Sequence, residues 1–362
     1  MEQQKGEIGD MYVSVELSQQ MINNRESLRV NRNYVYKKLM KYLEMGNVPD
    51  NPVCARIDWA IGWKCNFKCP HCFAKDFSGK GSNRTMSIDQ IRDVAQQADE
   101  AGVFMINLIG GEPLIGFDFD EVIRVLDPNR FRLAITTNGW MLSKERALHL
   151  AEIGVDRVCI SVDSAIPEEH DSFRGVKGAH ARAMAAIRNS LDAGMVTQVA
   201  TVITHQNLHS EGITRLFKII NDMGVYMDVP VAAPCGGWIG NLDVLIDEDD
   251  AAYIRELRKE YPLLRRDIFP SPGLQGGCFA VKQTLYIIPT GDVLPCLLIH
   301  SSLGNIFEMP LSKIRERGLK IEAFNKYSGK CLAGEDYEFI DKYLSRTFKA
   351  KELPLSYEEG WL

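Results

Sequence analysis

The sequence predicts an α/β protein, a partial, TIM-like barrel of six βα units followed by a small C-terminal α+β domain. Short apolar runs alternate with amphipathic stretches of helical period from Arg56 to about residue 235. Glycines stand where several of the helices would end, at Gly102, Gly154, Gly194 and Gly224. The alternation then stops at the glycine-rich stretch Pro230–Asn241. Six units are too few for the eight-fold closure of a full barrel, and such folds carry their sites at the C-terminal ends of the strands.

In order, residues 1–53 read as a helical lead-in. Asn33–Met45 has apolar residues at helical spacing, and Gly46, Pro49 and Pro52 then break it. The predicted strands are Arg56–Gly62, Phe104–Ile109, Phe131–Thr136, Arg157–Val162, Val196–Ile203 and Tyr226–Val231. Between them lie predicted helices at Ser87–Ala101, Asp118–Leu126, Ser143–Ile153, Ala179–Ala193 and Ser210–Met223. These span a barrel domain at 54–240. A third region, 241–362, opens with an acidic helix start at Asp247–Leu257 and a Pro/Gly-rich segment at Pro270–Gly277. Two short strands follow, Thr284–Ile288 and Val293–Leu294, joined by the turn Pro289-Thr290-Gly291-Asp292.

The chain has 362 residues, of which 45% are hydrophobic and 25% charged, an ordinary globular balance. The net charge of −6 argues against a nucleic-acid partner, which calls for a basic face. No run of about 18 apolar residues is present, and Met1–Asp10 is polar rather than signal-like. A cytoplasmic protein without a membrane partner is expected. Nine cysteines in a reducing compartment, odd in number and clustered, point to metal or redox chemistry rather than to disulfides.

The chemistry concentrates in Lys64-Cys65-Asn66-Phe67-Lys68-Cys69-Pro70-His71-Cys72. Three thiolates spaced C-x3-C-x2-C on the loop after a strand match three corners of an iron–sulfur cubane and leave the fourth iron open. Structural zinc, the competing reading, usually takes four ligands.

These residues resemble the signature of the radical S-adenosylmethionine (SAM) superfamily, C-x3-C-x-aromatic-C after the first strand, with His71 in the aromatic position. The resemblance implies a [4Fe–4S] cluster on Cys65, Cys69 and Cys72, whose open iron chelates SAM. It also implies reductive cleavage of SAM to a 5′-deoxyadenosyl radical. Other segments fit in order. Gly110-Gly111-Glu112-Pro113 follows the second strand, where the family binds the SAM amino group; the glycines would let backbone approach a ligand and Glu112 would accept from an ammonium. Thr137-Asn138-Gly139 ends the third strand. Ser161 and Asp163 end the fourth, and Arg174-Gly175 precedes the next helix, with a guanidinium suited to a carboxylate. His71, Gly110, Gly111, Glu112, Ser161, Asp163 and Arg174 are thus the expected cofactor-binding residues.

Cys278 and Cys296 flank the hairpin, with Leu303-Gly304-Asn305 and Cys331 beyond. This arrangement resembles the SPASM/twitch extension of radical SAM enzymes and implies a second, auxiliary [4Fe–4S] cluster on Cys278, Cys296 and Cys331. The pattern departs from the two-cluster form, which needs more cysteines, and Gly334 stands where relatives often carry another. The fourth ligand is left among Asp336, Glu335, His300, Cys235 or none. Cys235, after the sixth strand, is either a buried inert thiol or, by resemblance, a hydrogen-atom donor.

The expected activity is that of a radical SAM oxidoreductase or maturase. It would abstract a hydrogen atom from a carbon of a peptide or protein, with oxidation, crosslinking or epimerisation as the outcome. A small-molecule dehydrogenase or epimerase of the sugar or aminocyclitol type is the alternative. A non-catalytic zinc or iron–sulfur protein, or an electron carrier, is the rival of another class. The resemblance also implies a reducing partner such as flavodoxin or ferredoxin.

Overall fold

The computed structural model describes residues 19–45, 52–77, 85–266, 268–269 and 276–362. Parts of the predicted lead-in (1–18 and 46–51) and most of the Pro/Gly-rich segment (270–275) lie outside them.

Two helices open the described chain, α1 (Gln19–Asn31) and α2 (Asn33–Met45). The barrel units follow as β1 (Arg56–Ala60), α3 (Ile88–Glu100), β2 (Met105–Ile109), α4 (Phe119–Leu126), β3 (Arg132–Thr137), α5 (Lys144–Glu152) and β4 (Val155–Ser161). Then come α6 (Pro167–Arg174), α7 (Ala179–Asp192), β5 (Val196–Ala200), α8 (Glu211–Asp222), β6 (Tyr226–Asp228), α9 (Glu248–Glu260) and β7 (Leu264–Arg265). The remainder is β8 (Thr284–Ile287), β9 (Asp292–Leu294), β10 (Gly304–Asn305), α10 (Leu311–Leu319), α11 (Tyr337–Lys342) and α12 (Tyr357–Trp361).

Helix starts follow local chemistry. Ser87 and Asp247 form capping boxes with Gln90 and Asp250, while Ser143 and Ser210 cap α5 and α8 through their hydroxyls. The helix α6 was not predicted. It is short, has Pro167 at its first turn, and buries only His170, so it shows no apolar period.

Among the described residues, the ten strands form one sheet in the order β10-β9-β8-β1-β2-β3-β4-β5-β6-β7. Strands β1 to β7 run parallel. The parallel sheet thus continues through β7, beyond residue 240 where the barrel was expected to end. The predicted C-terminal hairpin, β8 and β9, is not separate from the sheet. Strand β8 pairs in parallel with β1, Arg56 opposite Thr284 and Trp59 opposite Ile287.

One face of each central strand packs on the helices; Ile57, Trp59, Ile106, Leu108 and Val158 are fully buried there. The opposite face looks into the barrel and is more polar: Asp58, Asn107 and Gln198 are buried, and Asp58 accepts from Asn107 (2.6 Å) and Arg56 (2.7 Å). Near the N-terminal ends of the strands, Leu28, Val35, Leu39 and Tyr42 pack against Ala55 and Phe104. Arg32 forks onto Asp156 (2.9 and 2.8 Å). Asp99 of α3 takes Lys38, Tyr34 (3.0 Å) and Arg130 (3.1 Å) at once. Among the described residues no helix is long and apolar enough to cross a membrane.

Because Asp99 joins α2 to α3 and to the start of β3, Asp99→Ala is expected to cost about 2–3 kcal/mol, the worth of charge-assisted hydrogen bonds lost at a partly buried site. Urea denaturation of the variant measures it; a loss below about 0.5 kcal/mol would show the contact to be a surface pair of no consequence.

Candidate active site

The loop after β1 carries Cys65, Cys69 and Cys72 at the C-terminal ends of the strands and runs into a 3₁₀ turn, Phe73–Phe77. Its internal hydrogen bonds are sparse: Cys72 N donates to Cys69 O (3.2 Å), and Phe67 N to the Cys65 sulfur (3.4 Å). The loop is instead held by backbone packed directly onto it. A Cβ on Gly111 would overlap the Lys64 carbonyl oxygen, and Glu112 N donates to that same oxygen (2.8 Å). On the other side, Gly236 and Gly237 lie against Cys72, Phe73 and Pro70. Gly237 N donates to Cys72 O (3.0 Å), and a Cβ on either glycine would overlap loop backbone. Gly111, expected to admit a ligand, thus first admits the start of the cysteine loop, as do Gly236 and Gly237 on its other side.

A cavity of about 760 Å³ opens above this loop. Its wall includes the three loop cysteines, His71, Gly110, Gly111, Glu112, Ser161, Arg174 and Cys235. The chain therefore brings those predicted site residues together. Asp163 does not line the cavity. It sits buried behind Arg174, accepting from its Nε (2.6 Å) and from Val202 N (3.2 Å). Burial alone would raise the Asp163 carboxyl, but the Arg174 guanidinium, with His71 and His170, holds it below the ordinary range.

Glu112 is buried, and burial pushes its carboxyl up against the hydrogen bonds it accepts. These come from Asn138 N (2.9 Å), Thr137 Oγ1 (2.7 Å) and Leu114 N (3.3 Å). The Thr137-Asn138-Gly139 turn is thereby tied to the GGEP turn. Asn138 reaches on to the cysteine loop through Asn66 (2.9 Å). His71 stacks on Phe173 (centroids 4.0 Å) and leans on Trp238 (5.6 Å).

The residues fit an iron–sulfur cluster. Three thiols converge with Arg174 beside Cys69, and desolvation pushes Cys65 up to about 11 and raises Cys69 and Cys72 also. A cationic cluster would reverse that penalty, since thiolate is the ligating form. Two buried polar atoms near the loop lack a partner, His71 Nδ1 and the Tyr286 hydroxyl. Tyr286 lies close to both Cys72 and Cys296.

Of the C-terminal cysteines, Cys296 lines the large cavity, while Cys331 lies near Cys278. The residues considered for a fourth ligand have other commitments. Glu335 pairs with buried Arg266 and accepts from Cys331 N (2.8 Å); Asp336 caps α11. His300 is bonded at both ring nitrogens, to Asp76 Oδ2 (2.8 Å) and Leu297 O (3.0 Å). Cys235 is buried near both Cys72 and Cys331, and burial drives its thiol far up.

Sequence reasoning missed Trp238, Phe173 and the Asp76–His300 link. Phe173 precedes the selected Arg174 and Trp238 lies in the glycine-rich stretch three residues past Cys235, but an aromatic near a motif carries no signal of its own. Asp76 also accepts from Gly236 N (2.8 Å), so one carboxylate joins the cysteine loop, the Gly236 turn and the C-terminal region. Its partners are 160 and 224 positions away, beyond any local pattern.

Comparison with known proteins gives two family matches: the radical SAM superfamily over residues 61–217, and SPASM, an iron–sulfur cluster-binding domain, over 278–333. An AdoMet-dependent heme synthase of Nitratidesulfovibrio vulgaris is 27% identical, over 78% of this chain and 84% of its own. The mycofactocin maturase MftC of Mycobacterium ulcerans is 32% identical, over 71% of this chain and 72% of its own. In structure, Streptococcus suis SuiB bound to precursor peptide SuiA superposes with a TM-score of 0.58 at 18% identity, over 77% of this chain and 67% of that one.

Gly237→Ala is expected to displace the cysteine loop. Reconstituted variant should hold at most half the iron and sulfide of the parent while its circular dichroism is unchanged. Full iron content would show that the loop does not need this packing. Cys331→Ala is expected to lower iron from about eight to about four per chain, one cubane's worth; no change would remove Cys331 from the ligands.

Proposed function

The chain belongs to the radical SAM superfamily and carries a SPASM iron–sulfur domain, and from that premise we propose that it is a maturase acting on a peptide or protein, with Cys65, Cys69 and Cys72 holding the SAM-binding [4Fe–4S] cluster. The observation that carries this reading is the convergence of those thiols with Glu112, Ser161 and Arg174 on one cavity. When bound and reduced, the cluster and SAM together supply a 5′-deoxyadenosyl radical able to take a hydrogen atom from carbon.

The protein's own residues position and shield that chemistry. Glu112, its orientation fixed by Thr137, Asn138 and Leu114, presents a carboxylate for the SAM ammonium. Asp163 is a positioning residue: it holds Arg174, whose guanidinium takes the SAM carboxylate. Ser161 offers a hydroxyl from the end of β4. His71, Phe173 and Trp238 form an aromatic wall that excludes water from the cluster side. Cys278, Cys296 and Cys331 are the proposed auxiliary-cluster ligands. Cys235, kept protonated by burial, faces the cavity as an S–H and is the proposed hydrogen donor. The electron comes from a ferredoxin- or flavodoxin-class partner.

The peptide reading draws on the mycofactocin maturase, at 32% identity, and on the resemblance of the C-terminal cysteine pattern to peptide-modifying SPASM/twitch enzymes. A second reading, oxidation of a small molecule, is favoured by the heme synthase, which aligns over 78% of this chain. A deuterated cell extract divided into peptide and small-metabolite fractions separates the two. Deuterium is expected to enter 5′-deoxyadenosine from the peptide fraction. Transfer from the small-metabolite fraction alone would establish the second reading.

Glu112→Gln keeps the hydrogen bond from Thr137 and removes the charge. It is expected to weaken SAM binding about tenfold, the loss of one charge-assisted contact, measured by equilibrium dialysis on cluster-loaded protein. Unchanged affinity would take Glu112 out of the SAM site.

A further inference from the structure

A second cavity, of about 240 Å³, lies at the opposite ends of the strands from the cysteine loop. Its wall carries Arg25, Arg56, Arg132, Arg157, Arg265 and Arg266 and, among the described residues, a single carboxylate, Asp228. That excess stands out in a chain whose net charge is −6. Three of the arginines have a carboxylate: Arg56 has Asp58, Arg266 has Glu335, and Arg157 has Asp228 at 3.8 Å. Among the described residues Arg25, Arg132 and Arg265 form no salt bridge.

Arg132 is 8% exposed, and its Nε has no hydrogen-bond partner. Burial lowers its guanidinium to about 10, with Asp156 too weak a counter-charge to restore it. Arg265 stacks on Tyr226 (4.4 Å), yet its buried Nη2 has no partner either. Buried guanidinium groups are ordinarily paired, because an uncompensated buried charge is strongly destabilising. Two unsatisfied guanidinium donors on one cavity wall match an oxyanion, which accepts charge-assisted hydrogen bonds from more than one arginine.

We propose that this cavity binds a small polyanion carrying phosphate or carboxylate groups. The site is distinct from the SAM cavity and stands whether or not the cluster assignment holds. It communicates with that cavity, because Arg56 and Asp228 line both and form the partition between them. A bound anion competes with Asp228 for Arg157 and with Asp58 for Arg56. An effector in the lower cavity therefore acts on two side chains that floor the upper one.

Calorimetric titration of cluster-loaded protein with pyrophosphate and, separately, citrate tests the proposal. One anion per chain is expected to bind, with affinity at least about tenfold weaker in Arg132→Met and in Arg265→Met, each the loss of a charge-assisted bond. Arg215→Met, on the exposed face of α8, should bind as the parent does. Should Arg132→Met fail to fold, Arg265→Met decides. Preference for pyrophosphate identifies a phosphate-bearing ligand and preference for citrate a polycarboxylate, either of which supports the site. No binding of either anion at millimolar concentration, or equal binding by parent and both cavity variants, overturns it.

Discussion

Close packing of glycine backbone on the cysteine loop is the constraint from which the site follows. The loop has almost no hydrogen bonds of its own, so its thiols stay in place only because other chain segments press against it. Gly111 reaches Lys64 from the end of β2, and Gly236 and Gly237 reach Pro70, Cys72 and Phe73 from beyond β6. Any side chain at these positions would overlap backbone that cannot yield. The barrel is thus the device that brings the ends of two distant strands to one nine-residue loop.

The same loop is tied to the C-terminal region. Asp76 binds His300 and the Gly236 amide, and the Tyr286 ring on β8 lies near both Cys72 and Cys296. Because β8 pairs directly with β1, Cys278 and Cys296, which flank the β8–β9 hairpin, are fixed relative to the cysteine loop by a continuous sheet rather than by a linker.

Much of this was legible from sequence where the signal is local. Ser87, Ser143 and Ser210 announce helix starts, and the run of βα units is a period that can be counted. The spacing of Cys65, Cys69 and Cys72 proposes its own chemistry. Long-range partners were not legible. Asp163 reads as a cofactor-binding residue alongside Arg174, and only the fold shows that it instead supports Arg174 from behind. The pairing of β8 with β1 crosses more than two hundred residues, and Arg132 at the first position of β3 gives no hint of a shared cavity with Arg265. The short strand β7 and helix α6 escaped because two residues, or a helix with one buried side chain, carry no periodicity.

The most direct test of the central claim is the electron paramagnetic resonance spectrum of anaerobically reconstituted, dithionite-reduced protein before and after SAM is added, with 5′-deoxyadenosine assayed in the same sample. The account requires a reduced [4Fe–4S] signal that changes when SAM binds, and 5′-deoxyadenosine formed. A protein that takes up zinc in place of iron, shows no such signal and leaves SAM intact would contradict it.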